Sequence, residues 1–126
     1  MKVFDSSNGW YDQKVNFVDS NNVFVGYDTA QSCCEDAGWF IAEKVIPYSY
    51  EGESLPEYDT DGYVFDIEFF QEVESCDLDD GGQVAFRLAC DGKPDLYLHL
   101  YNCHNGHYGH GFFVKHGGET VKDGCL

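Results

Sequence analysis

The sequence predicts an α+β fold that is mostly β: a twisted antiparallel sheet, rolled or stacked into two layers, with one short helix near residues 29–37. Three observations carry this expectation. Aromatic residues are abundant, with ten Phe, nine Tyr and two Trp, and they favour pleated, half-buried faces. Short runs alternate apolar and polar residues with the period of two that marks a strand. Clusters of Gly, Asn, Asp and Pro separate these runs and suit turns. The 126 residues are expected to form a single domain, 1–126, large enough to bury one core.

Taken in order, Asp5 to Gly9 reads as a turn cluster. Lys14–Val18 and Val23–Tyr27 read as strands joined by the hairpin loop Asp19–Asn22. Asp28 or Thr29 can cap a two-turn helix over 29–37, with Gln31 three places after Asp28 as a weak capping box and Gly38 as a stop. Trp39–Ile46 reads as a strand ended by Pro47, and residues 47–62 as an exposed loop. In the strand Tyr63–Phe70, alternation places Tyr63, Phe65, Ile67 and Phe69 on one face. Val84–Ala89, Leu96–Tyr101 and Phe112–His116 read as a C-terminal three-stranded meander, with Leu96, Leu98 and Leu100 inward and Tyr97, His99 and Tyr101 outward. The tail 117–124 reads as a turn and a frayed end.

Charge is the dominant global feature. Twenty-three acids against seven Lys and Arg give a net charge of −16. Such an excess repels nucleic acid and anionic membranes and attracts basic surfaces. It also serves solubility, or life in a salty medium. No Lys or Arg lies between Lys44 and Arg87, and residues 51–80 carry twelve acids. The candidate partner-binding residues are Glu51, Glu53, Glu57, Asp59, Asp61, Glu72, Glu74, Asp77, Asp79 and Asp80. Tyr48, Tyr50, Tyr58 and Tyr63 are interspersed and offer contact area. The expected partner is a basic protein surface, with no direct nucleic acid and no membrane.

Six cysteines stand at 33, 34, 76, 90, 103 and 125. The N-terminal residues lack the apolar region of a signal peptide and no run approaches a membrane span, so a cytoplasmic protein with reduced thiols is expected. Cys103, His104, His107 and His110, completed by Cys33 or Cys34, form the alternative metal reading, since Zn²⁺ takes about four thiolate and imidazole ligands. The spacing matches no standard finger, and no cofactor is the leading expectation. Cys33 and Cys34 adjoin Glu35 and Asp36, which raise a thiol pKa rather than activate it, so no catalytic residue is assigned. Instead, this stretch reads as a structural plug, with Cys33 or Cys34 under the sheet and Trp39 and Phe40 entering the core. A third reading is a small-ligand site lined by Tyr97, His99 and Tyr101.

Cys33-Cys34-Glu35 between a β-type run and an apolar strand resembles the Cys-Cys-Glu signature of a small uncharacterised family of phage and bacterial proteins, a domain of unknown function. The order of Leu96–Tyr101, Asn105-Gly106-His107-Tyr108-Gly109 and Phe112–Val114 is similar to that family's C-terminal hairpin. His107 and Ser32 depart from the pattern, and the acidic middle lies outside it. The resemblance implies a phage setting, hence a host-cell cytoplasm, and a small α+β or β fold, with no reaction attached. With the charge, it suggests a non-enzymatic inhibitor, a nucleic-acid mimic that occupies the basic surface of a host defence protein.

Overall fold

The structure, a computed structural model, describes residues 1–7, 13–30, 36–48, 58–74, 82–103 and 109–126. The described residues are all-β. Nine strands run in the order β1 (Lys2–Ser7), β2 (Gln13–Val18), β3 (Val23–Asp28), β4 (Asp36–Ala42), β5 (Val64–Glu72), β6 (Gly82–Ala89), β7 (Leu96–Cys103), β8 (Gly111–His116) and β9 (Glu119–Cys125). They form two antiparallel sheets, β1-β2-β3-β8-β9 and β4-β7-β6-β5. Alternation places Phe17, Val25 and Val114 side by side on the inner face of the first sheet. Ile41, Leu98 and Phe86 do the same on the second. The core lies between these faces, as in a β-sandwich.

The predicted helix is corrected. Asp36 and Ala37 begin β4, paired with Cys103 and Asn102 of β7, and residues 31–35 lie outside the described residues. A two-turn helix has little stability of its own, whereas β4 gains a seven-residue ladder against β7. The capping signal belongs to a turn: Asp28 Oδ1 accepts the Ala30 amide at 3.0 Å. Gly38, read as a helix stop, lies inside the strand, where a Cβ would sit 2.7 Å from the Tyr101 hydroxyl. Trp39 and Phe40, expected together in the core, point to opposite faces, as successive strand residues must. Trp39 meets Phe17 edge-on, while Phe40 stacks on His99.

The meander is also corrected. β6 and β7 pair as expected, but β8 joins the other sheet between β3 and β9. Both sides of β7 are already taken, by β4 and β6. The tail is a strand: Gly117 and Gly118 turn at φ 61° and 88°, and β9 pairs with β8. The predicted turn at Asp5 to Gly9 instead begins as strand, β1 running to Ser7. The Lys14–Tyr27 hairpin stands as expected. Asp19 anchors its turn by accepting the amides of Asn21 and Val23, both at 2.9 Å. Its second oxygen accepts the Phe65 amide at 2.8 Å and so ties this hairpin to β5 in the facing sheet.

Candidate protein-interaction surface

β5 is an edge strand, hydrogen-bonded to β6 on one side only. Its register shifts between Asp66 and Phe70. The bulge overturns the predicted face: Tyr63 and Phe65 stay buried, Ile67 is 51% exposed, and Phe70 turns in against Phe86 and Phe112. Charged side chains and bulges on an edge discourage another strand from pairing there.

The described part of the acidic belt follows this edge. Asp59 and Asp61 are exposed before β5, Glu68 and Glu72 are exposed on it, and Glu74 is exposed after it. None of these five makes an ion pair among the described residues. Asp66 differs. The Arg87 guanidinium on the neighbouring strand donates to its carboxylate and holds it below the usual carboxylate range. Arg87 also lies over the Phe69 ring, 5.1 Å from its centroid. Of the remaining predicted partner-binding residues, Glu51, Glu53, Glu57, Asp77, Asp79 and Asp80 lie outside the described residues. Of the tyrosines expected to offer contact area, those among the described residues are engaged internally. Tyr63 donates to the Pro94 carbonyl at 2.8 Å, Tyr48 stacks on Tyr101, and Tyr58 packs against the core. Tyr50 lies outside the described residues.

The two sheets leave a groove between the edge strands β5 and β9. A cavity of about 590 Å³ opens there, walled by Phe70 and Phe112 and rimmed by Glu72, Glu74 and Asp123. The Lys122 ammonium sits 3.9 Å from the centroid of the Phe70 ring. An aromatic face with carboxylates around it attracts cations, through the ring quadrupole and through charge. Sequence reading missed this groove because β9 carries few apolar residues and the β5 bulge breaks the strand period.

The other candidate sites fare differently. Cys103 is buried at the end of β7, and His110 is buried just before β8. His110 Nδ1 lies 2.7 Å from the Asp28 carbonyl oxygen. A carbonyl only accepts, so Nδ1 carries the proton. His104, His107, Cys33 and Cys34 lie outside the described residues, and among the described residues no three His, Cys, Asp or Glu side chains gather as a metal set.

The face of Tyr97, His99 and Tyr101 is covered by the chain itself over His99. Residues 43–48 fold back across it. His99 Nε2 accepts the Ile46 amide at 3.2 Å, so Nδ1 carries its proton. Phe40 lies flat on the ring at 4.3 Å. Gln83 clamps the same strap, donating to the Ile46 carbonyl at 2.8 Å and accepting the Tyr48 amide at 2.7 Å. Burial pushes His99 down to about 4, against a weaker pull from the Tyr97 and Phe40 carbonyls. Burial, with the Asp36 charge, pushes the Tyr101 phenol up to about 12. Both rings therefore sit uncharged at neutral pH.

Comparison with protein-family models, curated proteins and solved structures finds no match. No helix of the described residues is long and apolar enough to cross a membrane.

Proposed function

We propose that this chain is a non-enzymatic interaction protein whose acidic edge occupies a basic surface of a partner protein. The observation that carries the proposal is the row Asp59, Asp61, Glu68, Glu72 and Glu74, exposed and without ion pairs among the described residues. A surface built for solubility alone usually interleaves both signs of charge. Here the nearest cation in sequence beyond β5 is Arg87, which answers Asp66. Fixed carboxylates along a strand offer a partner's Lys and Arg side chains the same sign of charge as a phosphate backbone. The sharper form of the proposal is a phage-encoded inhibitor of a host defence protein that handles nucleic acid. It draws on the resemblance through Cys33-Cys34-Glu35.

Competition tests this reading. A labelled DNA duplex bound to a basic DNA-binding domain is titrated with the protein, and its release is followed by anisotropy. Release that weakens with salt, and that is lost when Asp59 and Asp61 become Asn and Glu68, Glu72 and Glu74 become Gln, is the expected result. Release that the neutralised variant reproduces in full would remove the proposal.

A further inference from the structure

Beside the groove lies a slot that reaches the core. This second cavity, about 190 Å³, lies between β5 and the first sheet, with Ile67 and Val121 at its mouth and Val25, Phe65 and Phe86 among the side chains lining it. Both strands at the mouth are irregular. β5 shifts register between Asp66 and Phe70, and the β8–β9 pair shifts between Val114 and Lys115. The bulges leave Ile67 51% and Val121 54% exposed. These are two of the few large apolar side chains on this surface, and they flank the same opening. Asp66 and Glu68 line the slot as well. Phe70 and Lys122 border both the slot and the acidic groove, so the two lie side by side.

We infer that slot and groove together act as one channel that docks an extended basic segment of the partner. One aliphatic side chain of that segment enters the slot between Ile67 and Val121. Flanking lysines or arginines reach Glu68, Glu72 and Glu74. The inference rests on the acidic-surface reading and names where and how the partner sits. Charge complementarity selects the occupant. A second copy carries the same net charge of −16, and like charges brought together oppose association. The Phe70 face is already covered by the ammonium of Lys122, so the partner's cations are left to the exposed carboxylates of Glu68, Glu72 and Glu74. The bulges disfavour strand addition along β5, so side chains rather than backbone ladders make the recognition.

Three short probe peptides of alternating lysine and serine test this. One carries a single central leucine, one has serine there, and one keeps the leucine but replaces every lysine by glutamate. The leucine peptide should bind about tenfold or more tightly than its serine counterpart, the gain from burying one aliphatic side chain. The double variant Ile67→Ser/Val121→Ser changes half-exposed positions and no charge. It should close that gap while leaving the all-serine lysine peptide's affinity unchanged, with circular dichroism confirming the fold. Equal binding of the two lysine peptides, or a gap that survives the double variant, would overturn the slot while leaving the acidic surface standing. A lysine peptide that binds no better than the glutamate peptide would overturn the acidic reading itself. A dimer in sedimentation that the double variant dissociates would assign the channel to a second copy and overturn the basic occupant.

Discussion

Replacing Asp19 by Ala should be among the most damaging single changes in this molecule. Asp19 is 7% exposed and supplies one carboxylate to three backbone amides. Two of them, Val23 and Phe65, are buried bonds at 2.9 and 2.8 Å. The Asn21 amide lies in an exposed turn, where water can replace the lost acceptor. Hydrogen bonds to a charged partner contribute ~1.5–3 kcal/mol each, and a buried amide left bare costs a similar amount. Two buried losses, not fully additive, come to roughly 3–5 kcal/mol. That is a large share of the ~5–15 kcal/mol that holds a typical domain together. It should lower the melting temperature by roughly 10–20 °C for a chain of this size. Urea denaturation followed by Trp fluorescence measures it, since Trp39 packs against Phe17 within the same hairpin's reach. Asp19→Asn should fall between, because its Oδ1 still accepts two amides while its Nδ2 faces the Phe65 amide, donor against donor. An Asp19→Ala variant within about 1 kcal/mol of the parent would refute the claim that this carboxylate joins the two sheets.

Three further outcomes follow from the same geometry. The folded His99 pKa, about 4, lies below the ordinary 6.5, so between these values the unfolded chain binds more protons and stability falls as pH drops. His99→Phe keeps a ring under Phe40 and should remove up to roughly 3 kcal/mol of that pH dependence, read as the difference between variant and parent in urea titrations at pH 7, 5.5 and 4. Gly26→Ala would place a Cβ 2.4 Å from the Phe113 ring, which stacks on Phe24 and lies under Lys14 and Lys115. It should cost about 1–3 kcal/mol by overpacking, and pairing it with Phe113→Ala should recover part of that in a double-mutant cycle. Tyr27→Phe loses the 2.7 Å bond from its hydroxyl to the Tyr101 carbonyl across the two sheets and should cost about 1–2 kcal/mol in the same denaturation assay.

Strand existence was legible where alternation is strong. Val84–Ala89 and Leu96–Tyr101 correspond to β6 and β7, and the inward Leu96, Leu98 and Leu100 are buried as expected. Partner choice was not legible, because the pattern of β8 says that it is a strand and nothing about its neighbours. Competition for the sides of β7 is settled by β4, more than fifty residues earlier in the chain. β9 was missed for a different reason. Glu119-Thr120-Val121-Lys122-Asp123-Gly124 lies exposed on an edge, so it carries no apolar face for periodicity to find. The helix reading failed because Asp28 forms the same short-range bond in a turn as it would in a cap, and Gly38 serves the Tyr101 ring rather than a helix end. His99 looked like an outward residue by period, correctly for the sheet, but the strap over it could not be read from spacing. At the candidate site, the acidity was plain in composition. The groove was hidden, because the exposed β9 and the bulged β5 that border it lack the period that reveals strands.

The most direct test of the account is the salt dependence of displacement. The protein is titrated against labelled duplex bound to a basic DNA-binding domain at about 50 and 200 mM salt, a range over which charge-driven association weakens strongly. The acidic edge predicts displacement at low salt, a marked loss at high salt, and no displacement by a variant with Asp59, Asp61, Glu68, Glu72 and Glu74 neutralised. Absence of displacement at low salt, or equal displacement by the neutralised variant, would contradict it.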